Sequence, residues 1–394
     1  MRVLHTSDWH LGRLLRAVPL IDHQRAFITW LSDLARDRNV DAILVSGDIY
    51  DRAIPSVEAV ALLEEALELL PGACPVVLIS GNHDSTVRLG FAGRLLERAG
   101  VHFRSDVGDV GRPVVLGEGA QTLLVYGIPY LEPEVVRARL GTEKSHAAVL
   151  SAAMDIVRAD LAERRAQASA AGLAAPRSVV MAHAFVTGGH VSDSERDVSV
   201  GGVSDAPASV FAGVDYVALG HLHGPQSMSS RAAPPIRYSG SPLAYSFSEE
   251  GHRKSVAVVD IAPDGTVDVE LVPTPVPRRL ATIIGPVEEL LADPDLADAE
   301  DAWVRAIVTD PRRPEQPMDR LRSRFPHTIE LSWQPPEEGG LLGATTSGPS
   351  HHGTDPVATV LDFIRHVSIA EVSDEDVRLV RESVERVRIA EAGA

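Results

Sequence analysis

Apolar and polar positions alternate along the chain in blocks whose period changes several times. Short β-rich runs come first: Val3-Leu4-His5-Thr6-Ser7, then DAILVSGD (41–48), then PVVLIS (75–80). Between them, residues 20–38 and 55–70 carry helix-type periodicity, and Pro55 suits the first turn of the second helix. A third helix is predicted from about 87 to 98. This βαβαβ rhythm implies right-handed crossovers and a buried, largely parallel sheet, which makes the fold class α/β.

After residue 100 the pattern turns to short strands and turns, including VHFRSD, TLLVYGIPY, IRYSGSP and SVAVVDIAPDGTVDVELVP. In the last of these, Asp264-Gly265 predicts a hairpin. An Ala-rich helix is predicted over 143–171, and two strand-like runs, RSVVMAH (177–183) and VDYVALGH (214–221), each stop at a histidine. The proline cluster PTPVPRR (273–279) suggests a boundary, giving a first domain over 1–275 and a small α+β cap over 280–334. The cap would comprise ATIIGP, AWVRAIVTD, a helix near 316–324 and HTIELSW. Residues 335–354 have the composition of a disordered linker. The final segment, 355–390, has helical periodicity in Val360, Leu361, Ile364, Val377, Leu379, Val380, Val384 and Val387. Ser373-Asp374-Glu375-Asp376 would supply an N-cap and an acidic first turn to its second half.

Length changes this picture little, since 394 residues suit two to three domains of ~150 residues each. No stretch approaches the ~20 apolar residues of a membrane span, and the N-terminus MRVLHTSDWH lacks a signal-peptide apolar region. A soluble, cytoplasmic protein with no membrane association is expected. The single cysteine, Cys74, excludes an internal disulfide framework and a cysteine metal cage, and is read as a small packed residue. Net charge matters more. At −18 it argues against bulk attraction to nucleic acid, so a phosphate substrate would need bound metal ions or a partner chain.

The candidate chemistry lies at the ends of the predicted strands. They deliver Ser7-Asp8-Trp9-His10, Gly47-Asp48, Gly81-Asn82-His83-Asp84, Ala182-His183 and Gly220-His221-Leu222-His223. In a parallel α/β sheet the carboxyl ends of strands line the ligand crevice, so groups distant in sequence can converge there. Asp, Asn and His together suit Mn²⁺, Fe or Zn²⁺ rather than soft copper. Two ions ~3.5–4 Å apart need a shared ligand, which one Asp can provide. On an extended strand the i, i+2 spacing would put Asp8 and His10 on one face, and likewise His221 and His223. Any one of these histidines alone is most often an ordinary hydrogen-bonded residue. Five such motifs in this order, each behind a predicted strand, argue for a site. Trp9 is read as packing, and His190 and His351-His352 are given no role.

The set SDWH, SGD, SGNHD, MAH and GHLH resembles the five-motif signature of the calcineurin-like metallophosphoesterases. HTSDWHLG, GDIYDRAIPS, GHLHGPQ and YSGSPLAYSFSE resemble its SbcD branch of nuclease subunits, and RPEQPMDRLRSRFPHTIEL resembles the cap region of that branch. The likeness runs from residue 1 to about 333 and resumes at 355–390. It implies a β-sandwich flanked by helices, with the small α+β cap and a helical C-terminal tail. Carried over position by position, Asp8, His10 and His223 would bind one metal and Asn82, His183 and His221 the other, with Asp48 bridging both. His83 would face the scissile phosphate rather than a metal, and Asp84 would orient it. Two cations would offset the phosphate charge, water activated by metal would attack in line, and protonated His83 would neutralise the departing 3′-oxygen.

Arg13, Arg16, Arg52 and Arg88 flank these motifs and are candidate DNA-phosphate contacts, and 192–202 could form a substrate-side loop. The resemblance further implies a two-metal DNA nuclease, with double-strand 3′–5′ exonuclease and single-strand or hairpin endonuclease activity. It would act with the SbcC ATPase in DNA end processing, replication, repair and recombination. Mn²⁺ is the expected metal, with Mg²⁺, Fe or Zn²⁺ as alternatives. A nucleoid-associated homodimer within a heterotetramer is implied, with the tail laying its apolar face on the SbcC coiled coil. The tail could instead pack on its own domain. A stand-alone phosphoesterase for nucleotides or cyclic nucleotides would use the same five motifs, but leaves the material after residue 275 unexplained. A non-catalytic adaptor should have lost ligands, whereas all seven positions and His83 carry the required types.

Overall fold

The structure is a computed structural model of the 394-residue chain. It describes residues 1–195, 206–228 and 234–336, and beyond these Val357, Val360, Leu361, Ser373 and 377–384. Two six-stranded sheets form its centre. The first has four parallel strands, Arg2–Thr6, Ala42–Ser46, Val76–Ile79 and Val101–Arg104, extended by an antiparallel hairpin, Ser255–Ile261 and Val267–Pro273. The second has four parallel strands, Leu123–Ile128, Arg177–His183, Tyr216–Gly220 and Ile236–Tyr238, with a short antiparallel strand at each edge.

The period-2 alternation of these strands sorts their side chains between two layers. Val3, Leu44, Val77 and Ile79 meet Val125, Val179, Met181 and Ala218 in a core between the sheets. The alternate residues Leu4, Ile43, Val45 and Leu78 face outward onto Phe27, Leu31 and Leu62 of helices Ile21–Asp37 and Val57–Leu69. On the far side, Leu124, Tyr126, Val180 and Val217 pack against Val149, Ala153, Met154 and Val157 of helix His146–Ala170. The architecture is the expected β-sandwich flanked by helices. The Asp264-Gly265 turn closes its hairpin, with Ala262 N–H donating to Thr266 O at 2.9 Å.

Residues 280–333 add a parallel three-stranded sheet, Leu280–Gly285, Trp303–Val308 and Thr328–Trp333, with helices Val287–Ala292 and Pro317–Arg322. A mixed core of Leu15, Leu20, Tyr245, Phe247, Leu280 and Trp303 joins it to the sandwich. Glu250 reinforces the joint by accepting from Thr282 N at 3.0 Å and Thr282 Oγ1 at 2.6 Å.

Three local expectations need correction. The helix predicted over 87–98 is broken into Thr86–Leu89, Gly93–Leu96 and a 3-10 turn, because Ala92 takes a left-handed conformation with φ 59°. The Ala-rich helix starts at His146, after the Ser145 N-cap, and a separate helix, Pro133–Leu140, precedes it. The first sheet is parallel only on one side of Arg2–Thr6, since the hairpin joins it antiparallel.

By its contacts the chain divides into Met1–Pro336 and Glu337–Ala394. In the second unit 377–384 are helical, and Val377 N–H donates to Ser373 O at 3.1 Å, so a helix follows the predicted cap. Nearly all of the predicted linker (335–354), the rest of the 355–390 tail and 196–202 of the predicted loop lie outside the described residues. Among the described residues, no helix is long and apolar enough to cross a membrane.

Candidate metal centre

Asp8 and His10 lie past the end of strand Arg2–Thr6, and His221 and His223 lie past Tyr216–Gly220. Their shared spacing is therefore not the alternation of an extended strand. Asp8, His10 and His221 instead have left-handed backbones, with φ of 53°, 45° and 108°, and Asp48 does too at 49°. Outliers of this kind in short-chain residues gather where geometry is imposed from outside. Here the loops are stitched together: Asp8 N–H donates to Gly47 O at 3.0 Å and His10 N–H to Asp48 O at 2.9 Å. Glycine is required where these loops cross. A Cβ on Gly47, whose φ is +90°, would lie 2.2 Å from His183 Nδ1, and one on Gly81 would lie 2.1 Å from Asp48 Oδ1.

The loops gather all seven proposed ligands. Asp8, His10, Asp48, His183, His221 and His223 are buried, and Asn82 is half-buried. Ligand atoms of Asp8, His10 and His223 lie within 4.8 Å of one another, as do those of Asp8, Asp48 and His183. Asp48 Oδ2 stands between the two groups, 3.6 Å from His10 Nε2 and 3.5 Å from His183 Nε2. Asn82 Oδ1 is 2.9 Å from His183 Nε2 and 3.4 Å from His221 Nδ1.

Proton positions test whether this set suits cations. Burial holds the imidazoles of His10 and His183 below their ordinary range and pushes His221 down to about 3, so they are neutral. A neutral imidazole has one N–H, and His183 gives it from Nδ1 to the Ser46 carbonyl at 2.9 Å. Its bare Nε2 therefore faces the Asn82 carbonyl oxygen. A second convergence joins His10 Nε2 and His223 Nε2, 3.1 Å apart. Burial raises Asp8 well above the ordinary carboxylate range, and the Asp48 charge adds to this. Burial works the same way on Asp48, but His183, His83 and the N–H of His83 outweigh it and hold Asp48 low. Among the described residues, neither carboxylate has an Arg or Lys partner. The lone pair of His183 Nε2 facing the Asn82 carbonyl oxygen, beside carboxylates with no such basic partner, is what divalent cations resolve. The residues fit them.

His83 sits at the rim, its ring 4.7 Å from that of His10. Its Nδ1–H donates to the Asp51 carbonyl at 2.7 Å, which leaves Nε2 as the free atom. His83 also falls in one cluster with His10 and Asp48, but as its half-exposed member. Asp84 differs from the expectation that it orients the His83 ring. Its carboxylate accepts N–H groups from Ile49 (3.0 Å), Tyr50 (2.9 Å) and Gly81 (2.9 Å), and so ties the two loops rather than the imidazole. Burial, with the charge of Asp48, pushes its pKa up to about 7.

The four arginines separate. Arg13 is turned inward, with an ion pair to Asp51 at 3.2 Å, a bond to Ser194 O at 2.8 Å and its guanidinium over the Tyr245 ring. Arg16 makes a two-pronged pair with Glu330 of the C-terminal sheet, at 2.7 and 2.8 Å. Arg88 bonds Ala53 O at 2.9 Å, and Arg52 is 79 % exposed beside Asp51. Trp9 is buried, its Nε1–H bonded to Thr6 Oγ1 at 3.1 Å. Sequence reasoning gave no role to Asp51, Glu249 or Lys254, and placed Ser194 and Glu195 only in a substrate-side loop, yet all five surround the proposed ligands. Glu249 ends the stretch YSGSPLAYSFSE, but a glutamate in a Ser-rich turn signals nothing on its own.

A family model described as the calcineurin-like phosphoesterases matches residues 1–225, and one for the C-terminal domain of SbcD, described as the type 5 capsule protein repressor C-terminal domain, matches 276–358. The SbcD subunit of the SbcCD nuclease of Staphylococcus epidermidis is 29 % identical over 336 residues, which cover 84 % of this chain and 85 % of that one. Among solved structures, a Thermus thermophilus protein aligns with TM-score 0.40 and 14 % identity, over 68 % of this chain and 98 % of its own. A dimetal phosphatase from Danio rerio aligns with TM-score 0.40 and 13 % identity, over 66 % and 94 %.

Proposed function

The chain belongs to the calcineurin-like phosphoesterases, and on that footing we propose that it is the nuclease subunit of an SbcCD-type complex. It is a metal-dependent phosphodiesterase with a dimetal site. The observation that carries the chemistry is the seat of Asp48 Oδ2 between His10 and His183, where one carboxylate reaches both groups of donors. The nuclease role draws support from a relative matched over most of both chains and from the second family match, at 276–358, which a stand-alone phosphoesterase would not need.

Asp8, His10 and His223 would hold one cation and Asn82, His183 and His221 the other, with Asp48 between; Mn²⁺ is the proposed ion. When bound, the cations supply positive charge to the phosphoryl oxygens and lower the pKa of the attacking water. His83, its Nδ1–H anchored on Asp51, offers Nε2 to the departing oxygen and donates a proton when it carries two. Asp84 keeps the 48–51 and 81–84 loops in register. Arg16, Arg52 and Arg88 are the proposed DNA-phosphate contacts, whereas Arg13 serves the scaffold. The cap at 280–334 would face DNA and the 355–390 tail would dock on the SbcC ATPase, in a cytoplasmic homodimeric heterotetramer. Duplex 3′–5′ exonuclease and hairpin endonuclease activities follow from this reading.

Co-purification with the SbcC homologue, followed by Mn²⁺-dependent cleavage of duplex and hairpin DNA, tests it. Bis(p-nitrophenyl) phosphate and cyclic nucleotides serve as comparison substrates. Turnover of nucleotides but never of DNA, with or without the partner, would make the stand-alone phosphoesterase the correct reading.

A further inference from the structure

Beside the ligand His223 lies a charged pair that the chemistry above leaves unused. Glu249 and Lys254 are 1 % and 4 % exposed and form an ion pair. Burying two charges is a poor stabilising device, because desolvation offsets most of their attraction and an apolar pair of similar volume often does as well. The surroundings give the pair a different task. Lys254 Nζ donates to the His223 carbonyl at 2.9 Å and to Ser241 Oγ at 2.9 Å. Glu249 Oε1 accepts from the Ser194 hydroxyl and from Tyr245 N–H, and lies 3.3 Å from His223 Nδ1. Ser194 Oγ itself is 2.7 Å from His223 Nδ1. Since the Ser194 hydrogen goes to Glu249, its oxygen can only accept from the ring. Both neighbours of Nδ1 are then acceptors, and the imidazole proton must sit there. In the neutral ring, the form that donates to a metal ion, that leaves the lone pair on Nε2, the atom that faces His10. Glu195 completes the hold by accepting His223 N–H at 2.7 Å.

We infer that Glu249 is a positioning residue that fixes the tautomer and ring orientation of His223 for metal donation, with Lys254 as its counter-charge and as the clamp on the His223 carbonyl. This rests on the dimetal reading of the centre. An acceptor behind a metal-bound histidine raises its basicity, and losing one weakens metal affinity by ~10–100-fold. The effect should fall on the cation that His223 holds and spare the one held by His183 and His221.

The test is titration of the chelator-stripped full chain with Mn²⁺, followed by calorimetry and electron paramagnetic resonance. Because Glu249→Leu alone would strand Lys254 without a partner, the main variant is Glu249→Leu with Lys254→Met, which removes both charges and the acceptor behind His223 at similar volume. The expected result is that wild type binds two Mn²⁺ and the double variant binds one as tightly and the other ~10–100-fold more weakly. Two unchanged affinities would overturn the positioning role and leave the dimetal centre standing, and so would equal weakening of both. Wild type binding fewer than two Mn²⁺ would overturn the dimetal reading itself. A measurement that needs no variant is ¹⁵N NMR of the histidine-labelled, metal-free wild type. It should show His223 protonated on Nδ1, and an Nε2–H tautomer would refute the inference.

Discussion

Gly81→Ala perturbs the centre while leaving every proposed ligand in place. An alanine Cβ would lie 2.1 Å from Asp48 Oδ1 and 2.4 Å from Asp48 N, and Cβ contacts under 3.0 Å are essentially never seen. The backbone at Asp48 cannot easily retreat, because its carbonyl holds His10 N–H at 2.9 Å. The carboxylate must therefore swing, by about 1 Å, and the 81–84 loop must back away from Asp48 N, in a site packed too tightly to absorb either shift. Oδ1 would lose the His83 N–H bond of 2.9 Å, and Oδ2 would leave its seat 3.6 and 3.5 Å from His10 and His183. Misplacement of that size lowers rates by ~100-fold, or ~2.7 kcal/mol in the barrier. Overpacking should lower stability by ~1–3 kcal/mol. The assay is Mn²⁺-dependent hydrolysis of bis(p-nitrophenyl) phosphate, with kcat and KM separated and Mn²⁺ binding titrated in parallel. Gly251→Ala is the control, since Gly251 is exposed with nothing within 4 Å of its Cβ position. A folded Gly81→Ala protein with kcat within about threefold of wild type would refute the bridging assignment of Asp48.

Three further outcomes follow from the same geometry. His83→Leu should keep both Mn²⁺ ions and lower cleavage by ~10²–10⁴-fold, because it removes a proton donor and no ligand; normal cleavage would refute its role. Burial pushes His5 down to about 3, with Nδ1 against Tyr216 OH and Nε2 on Leu219 O. The unfolded chain, with its histidine near ~6.5, then binds the extra proton first, so stability should fall as pH drops from ~6.5 toward 3, by up to ~1.4 kcal/mol per pH unit. Above ~6.5 His5 contributes no slope, and His5→Gln should flatten the curve below it as read from urea midpoints; parallel curves would exclude His5 as a source. Burial pushes the Cys74 thiol up to about 11, which leaves about one thiolate in a thousand at pH 8. Cys74 should resist iodoacetamide until denaturant is added, and rapid labelling of the native chain would contradict its packing.

The cluster of candidate ligands was legible because its residue types are unusual at strand ends, and each end announces itself by an apolar run that stops. Local geometry was less so. The i, i+2 spacing of Asp8 and His10 brought the two residues together for the wrong reason, since both are left-handed loop positions. Arg13 carried no sign that its guanidinium would turn inward, because its partners Asp51, Ser194 and Tyr245 come from three distant segments. Asp84 sits beside His83 in sequence, yet its bonds run to Ile49, Tyr50 and Gly81. Glu249 was illegible for a deeper reason. It acts through another residue, and the tautomer it sets depends on which neighbours are acceptors, which only the folded arrangement decides.

The strain at the centre has a consequence for how cations bind. Among the described residues eight non-glycine positions have positive φ, and four of them are Asp8, His10, Asp48 and His221. Each such backbone is disfavoured by ~1–2 kcal/mol, more than a lone loop would sustain. Here the loops behave as continuations of the sheet. The hydrogen bonds Asp8 N–H to Gly47 O, His10 N–H to Asp48 O and Leu11 N–H to Ile49 O extend the pairing of strands Arg2–Thr6 and Ala42–Ser46 beyond their ends. His221 N–H then ties the second sheet to Asp8 Oδ1 at 3.0 Å. The strained geometry is thus held by the protein's own bonds. Binding need not order the loops, so affinity should depend on how well each donor is aimed rather than on loop closure. On that ground substitutions behind the ligands, at Gly81 and Glu249, should weaken the centre as much as the loss of a ligand's outer partner does elsewhere, while leaving the sandwich folded.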